Sequence, residues 1–202
     1  MNKTSLLIIG MLLFGYAARS QSYFGIKTGL NLANQVKTIS IPQVSTTRKD
    51  TKPLVGYQLG VFYKTKLNKH LSISAETNFS VIGSRMILVT SDGKSYDTNE
   101  KLGYMELPLT LQYSFNKLYF GAGPSIGFKL FSTHTDLENR TFNIPYYKTI
   151  DAAGNLLAGY TISSKVDVNV RYSYGLVNIH DDPEYAKTKN SFFNLSILYC
   201  LK

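Results

Sequence analysis

From Tyr23 to the end of the chain, apolar and polar residues alternate with period two in one segment after another. No sustained run places apolar residues at i, i+3, i+4 and i+7. In the first segment Phe24, Ile26, Thr28, Leu30 and Leu32 share one side, with Gly25, Lys27, Gly29 and Asn31 on the other. The same two-faced pattern returns over 55–64, 71–81, 105–113, 118–130, 166–174 and 193–201, and more weakly over 150–162. The pattern predicts an all-β chain of eight strands.

The connections sharpen the prediction. Tight turns are expected at Lys66-Leu67-Asn68-Lys69, Phe115-Asn116-Lys117 and Ser163-Ser164-Lys165, and long connections over about 33–53, 83–101, 131–147 and 177–190. Strict alternation of long and short connections is the signature of an up-and-down transmembrane β-barrel, with short periplasmic turns and long external loops. The fold class is therefore an eight-stranded antiparallel barrel in the bacterial outer membrane. The prolines Pro108 and Pro124 lack a ladder N–H, and a closed barrel has no edge strand to place them on, so a bulge or local loss of pairing is expected at each.

Side-chain size decides which face meets lipid. The polar set is mostly Gly, Ser, Asn and Thr with a few charges, and suits a narrow eight-stranded lumen; the apolar set is bulky Leu, Ile, Val, Phe and Tyr, which lipid accepts. A soluble ligand-binding barrel would reverse this arrangement. Tyr23, Phe24, Tyr63, Tyr113, Phe115, Tyr119, Phe120, Tyr160 and Tyr199 cluster near the short-turn ends and are expected to form the periplasmic aromatic girdle.

Composition now has a meaning. A mean hydropathy of −0.10 with 17% charged residues excludes both a helical membrane bundle and a disordered chain. It is the average of two opposed faces. Lys3, the apolar run Leu6–Phe14 and Ala18-Arg19-Ser20 form the three parts of a secretory signal peptide over residues 1–20, with cleavage expected before Gln21 and the barrel domain occupying 21–202. The apolar run is too short to cross a bilayer. Cys200 is the single cysteine, so an intrachain disulfide and a cysteine metal cluster are both excluded, and the site is not a lipoprotein cleavage site.

Four charges fall on the inward face: Lys27, Glu76, Glu106 and Arg171. Buried charges are costly unless paired, so they predict a salt-bridged lumen network and a plug instead of a water channel. An acid/base pair of Glu76 and Glu106 is the catalytic alternative. Ser132, His134, His180 and Asp181 are the other candidates for chemistry, in external loops, but no local motif joins them as nucleophile and base. The chain is read as a non-enzyme without cofactor or metal. The formal charge is +9, and Arg48, Lys49, Lys52, Arg85, Lys94 and Arg140 lie in the predicted external loops, where lipopolysaccharide phosphates are a salt-screened partner; solvated loop charge is the plain alternative. Nucleic acid is excluded by the export signal and the lack of a recognition element.

Several motifs add a resemblance. Phe24-Gly25-Ile26-Lys27-Thr28-Gly29-Leu30-Asn31, Met105-Glu106-Leu107-Pro108-Leu109, Gly121-Ala122-Gly123-Pro124 and Arg171-Tyr172-Ser173-Tyr174-Gly175-Leu176-Val177-Asn178-Ile179 resemble the PorT-like outer-membrane β-barrel family of Bacteroidetes. The resemblance implies that the prolines are built-in bulges. It also implies an envelope or secretion-system protein as a partner, although barrel kinship does not carry that role by itself. Three functions stay open: a plugged monomeric barrel acting structurally or through its loops at the cell surface, a small pore or secretion-linked barrel, and a lipid-modifying enzyme.

Overall fold

A computed structural model describes residues 21–39, 47–50, 52–89, 95–136, 140–184 and 186–201. The signal peptide expected over 1–20, and Lys94, lie outside them. The described strands are β1 (Ser22–Ile39), β2 (Thr47–Asp50), β3 (Lys52–Lys66), β4 (Leu71–Val89), β5 (Ser95–Phe115), β6 (Leu118–Thr135), β7 (Thr141–Asn143), β8 (Ile150–Thr161), β9 (Val166–Gly175) and β10 (Ala186–Cys200). Eight of them form a ring in the order β1, β3, β4, β5, β6, β8, β9, β10. The seam is long: β10 returns antiparallel to β1, from Gly25 opposite Cys200 to Ile39 opposite Ala186. Closure matters because an open sheet edge in hydrocarbon would leave backbone polar groups unsatisfied. Strands β2 and β7 are short additions, pairing with β1 and β6.

Outside the ring is an apolar skin. Ile26, Leu30, Leu59, Leu109, Leu111, Ile126, Phe128, Leu156, Leu195 and Ile197 are all exposed, and an unbroken surface of this kind is stable against lipid rather than water. Inside, the alternate positions bury Lys27, Asn31, Gln58, Ser74, Glu76, Asn78, Thr110, Arg171 and Asn194.

Three expectations need correction. The connections are shorter than the alternation suggested, because β1 runs on to Ile39, β4 to Val89 and β6 to Thr135, while β5 starts at Ser95. Crossing a bilayer takes only about 9–11 residues per strand, so strands of 18 to 21 residues project beyond it. Tyr119 is not in the aromatic girdle: it lies on the inward parity of β6 and is 2% exposed. Neither proline makes the bulge that the resemblance implied; the other outcome expected of a proline here, a local loss of pairing, is what occurs. Pairing lapses between Pro108–Ser125 and Leu111–Ala122 without a change of register, and again between Ala75–Leu109 and Asn78–Glu106, which is the loss of pairing a missing N–H causes.

The bulge in this part of the wall falls at Leu130, which has no register partner between Gly103–Phe131 and Tyr104–Lys129. It leaves Leu130 and Phe131 both exposed and lays the Phe131 ring over Gly103 on β5. An aromatic ring covering a strand glycine shields backbone that has no side chain of its own. Phe131→Ala is expected to lower unfolding stability in lipid vesicles by about 0.5–1 kcal/mol, measured by urea titration. At the other end Asn116, at φ 54°, turns the chain from Phe115 to Leu118, a conformation asparagine tolerates better than most residues.

Candidate functional site

The centre of the lumen is organised by Glu76 on β4. Its carboxylate accepts from Lys27 Nζ on β1 at 2.9 Å, from Asn78 Nδ2 at 3.0 Å and, on the other oxygen, from Arg171 Nη2 on β9. All three charged side chains are at most 2% exposed, so strands from opposite sides of the ring are tied together through one carboxylate. Glu106 on β5 stands apart from this triad. It accepts from Ser80 Oγ at 2.6 Å and from Gln58 Nε2 at 3.4 Å. The four inward charges therefore form a three-membered ion cluster and a hydroxyl-bound carboxylate, and Glu76 and Glu106 are held by different partners.

Further polar groups fill the levels around them. Asn194 Nδ2 donates to Asn31 Oδ1 at 2.8 Å, Ser173 Oγ to Asn155 Oδ1 at 2.6 Å, and Asn190 Nδ2 to Asp151 Oδ2 at 2.8 Å. Beside them Tyr104, Glu106, Ser125, Asp151 and Asn190 line a cavity of about 10 Å³. That volume accommodates about one water molecule. Towards the turn side apolar groups join the polar ones, with Phe62, Tyr119, Leu157 and Leu198 buried beside Ser72, Gln112 and Asn169, and Lys64 Nζ 4.5 Å from the centre of the Tyr119 ring.

A second cluster forms at the external end, from residues that alternation had placed largely in loops. Ala33, Ile82, Leu102, Tyr104, Ile144, Tyr147, Ile179 and Phe192 pack as one buried group. Ile144, Tyr147 and Ile179 come from the connections and lie over the inward side chains of the wall. Their backbone is fixed by Ile144 N to Ser132 O at 2.9 Å, by Lys148 N to Ile179 O at 2.7 Å and by a bridge between Tyr147 and His180. Glu100 holds this arrangement electrostatically: it accepts from Lys37 Nζ, from Tyr147 OH at 2.7 Å and from Tyr146 OH at 3.4 Å, with His134 Nδ1 3.9 Å away. Burial opposes ionisation of Glu100, but Lys37 and the Tyr147 hydroxyl outweigh it and hold the carboxyl below its ordinary value of 4.5. The same partners sit beside His180, whose ring packs 5.2 Å from that of Tyr146.

The remaining candidates do not converge. Ser132 Oγ donates to the Ile144 carbonyl at 2.5 Å, His180 Nδ1 lies 2.9 Å from the Asp182 carbonyl, and Asp181 is exposed. No nucleophile and base are in contact among these residues. Of the basic loop candidates, Arg48 and Lys49 are in β2, Lys52 is exposed and in register with half-buried Arg85, and Arg140 is ion-paired to Asp136 at 3.1 Å. Among the described residues, no group of three or more His, Cys, Asp or Glu is placed to hold a metal ion.

A ring of eight strands with an apolar outside and a charged inside is matched by one family model, described as outer membrane protein beta-barrel domain, over residues 17–181. The chain belongs to that family. This outer-membrane barrel is accordingly a protein of the bacterial outer membrane, its short turns on the periplasmic side. No curated protein matches it in sequence. Among solved structures it is similar to Ail, the attachment invasion locus protein of Yersinia pestis, in a complex with the heparin analogue sucrose octasulfate: 13% identity, 90% of this chain and 99% of that one, TM-score 0.49. It is similar too to Neisserial surface protein A, at 10% identity over 86% and 96% of the two chains with TM-score 0.48. The outer membrane protein OprG of Pseudomonas aeruginosa matches at 12% identity over 90% and 97%, with TM-score 0.43.

Proposed function

We propose that this outer-membrane barrel is a plugged, non-enzymatic monomer that acts through its external end, on a partner protein or a surface glycan, and conducts no solute. The observation that carries this reading is the filling of the lumen at two heights, by the Glu76 ion cluster and by the apolar group around Leu102 and Tyr147. Either level alone would obstruct a narrow eight-stranded lumen. In planar bilayers the purified full chain is expected to give no open conductance steps; reproducible steps would remove the plug and favour the pore. Mature protein beginning at Gln21, read by N-terminal sequencing, is the expected product of export.

The finer family placement belongs to the same reading. The motifs from Phe24 to Asn31 and from Met105 to Leu109 support a PorT-like barrel of Bacteroidetes, and with it an envelope or secretion-system protein as the partner. Lys52, Arg85 and Arg140, with Arg48, Lys49 and Lys94, support contact with lipopolysaccharide phosphates, an attraction that salt would screen. Crosslinking in intact cells from the 33–53 and 131–147 connections separates the two, since one yields a protein adduct and the other a lipopolysaccharide ladder.

A further inference from the structure

The formal charge of this barrel is distributed unevenly, and the denser excess lies at the end opposite the external loops. Around the short turns stand Lys64, Lys66, Lys69, Lys117 and Lys165, and the acid close to them in the chain is Asp167. At the external end the basic residues are interleaved with Glu100, Asp136, Asp181, Asp182 and Glu184. The five lysines do not act alike. Lys64 turns inward over Tyr119, whereas Lys66, Lys69, Lys117 and Lys165 are exposed. Among the described residues no carboxylate pairs with Lys69, Lys117 or Lys165.

Their placement around the ring identifies the kind of partner. Lys66 and Lys69 flank the β3–β4 turn, Lys117 sits in the β5–β6 turn and Lys165 in the β8–β9 turn, so each hairpin of the periplasmic rim carries exposed positive charge. A protein partner would need one contiguous face. Charge spread around the circumference faces the annulus of lipid instead. The same level carries the exposed aromatic side chains Tyr63, Tyr113, Phe115, Phe120, Tyr160 and Tyr199, which mark the height of the headgroups. A cation and an imidazole share that height with the rings: Lys66 Nζ is 5.2 Å from the Tyr23 ring centre, and the His70 ring stacks on Tyr113 with centroids 5.6 Å apart.

We infer that Lys66, Lys69, Lys117 and Lys165 form a collar that binds the phosphates of anionic phospholipid in the periplasmic leaflet of the outer membrane. A lysine ammonium on a flexible stem reaches a headgroup phosphate without a fixed pocket, and several such cations near a negative surface add their attractions. The collar anchors the turn end at a set depth and leaves the external end for the recognition proposed above. It rests on the membrane placement and not on the plug, so it survives if conductance is found.

The test uses the full chain in phosphatidylcholine vesicles with spin-labelled phosphatidylglycerol or phosphatidylcholine as the probe, reading the motionally restricted fraction of each. Wild type is expected to prefer phosphatidylglycerol by at least about threefold, and to lose that preference in about 0.5 M salt. Changing Lys66, Lys69, Lys117 and Lys165 together to Gln should abolish it, while Lys101, Lys148 and Lys187 changed to Gln should not. Equal retention of both lipids by wild type, or a preference that resists salt, overturns the proposal without any variant having to fold. A folded quadruple variant that keeps the preference overturns it too. So does lysine-dependent binding to isolated peptidoglycan without lipid preference, which would assign the rim to the cell wall.

Discussion

Glu76→Gln is expected to destabilise the folded barrel by about 3–5 kcal/mol, read as the shift of the urea unfolding transition in lipid vesicles. The size follows from what the substitution leaves behind. Glu76 is the carboxylate for two buried cations, Lys27 and Arg171, and the amide would present them with no countercharge while they repel each other. Lys27→Met should cost less, because Arg171 keeps its partner and the methionine fills the space of the lysine stem. The double variant Glu76→Gln with Lys27→Met should recover part of the loss, since one of the two stranded cations is gone. Glu106→Gln should be milder than Glu76→Gln, as Glu106 is held by Ser80 and Gln58 and an amide can still accept from both. A loss under about 1 kcal/mol for Glu76→Gln would mean that water reaches the cluster and screens it.

The residues of this triad were legible in the sequence, and the reason is geometric. Lys27, Glu76 and Arg171 each interrupt a row of small polar residues on the inward parity of a strand whose other face is predominantly apolar, so alternation alone assigns their side. Which cation meets which carboxylate depends on the stagger of strands around the ring, and a single sequence does not contain it. Tyr119 shows parity and residue type in conflict: its position in β6 is inward, its chemistry suggested the interface, and position won because the facing Gly159 leaves room for the ring. Phe62 is a similar case, an inward aromatic seated against Gly25.

The external cluster was less legible, for a different physical reason. Beyond the bilayer a strand no longer needs an apolar outer face, so the contrast that reveals alternation fades even though the ladder continues. A signal was nevertheless present. Ala33, Gln35 and Lys37 keep the parity of Lys27 and Asn31, and Glu100, Leu102 and Tyr104 keep that of Glu106. Extending the parity would have put Lys37 and Glu100 inside the ring. Ile144, Tyr147 and Ile179 follow no period, because they enter the cluster from irregular backbone, and nothing local announces them.

Glu100→Gln is expected to raise amide hydrogen exchange in the Ile144–Lys148 segment by about 10–100-fold at neutral pH, with the transmembrane core unaffected. The carboxylate receives the Lys37 ammonium and the Tyr147 hydroxyl, and a charged acceptor of this kind contributes about 1.5–3 kcal/mol that an amide does not replace. The pH dependence has a definite sign. The folded-state carboxyl is held below its ordinary value of 4.5, so its contribution is complete above that value and is lost as pH falls through the lower folded one. In wild type, protection of the segment, corrected for intrinsic exchange, should therefore be flat from neutrality to about pH 5 and fall in stronger acid. Glu100→Gln should remove the fall, leaving low protection throughout. A loss of protection in acid that persists in Glu100→Gln would transfer control of the external cluster from this carboxylate to another group.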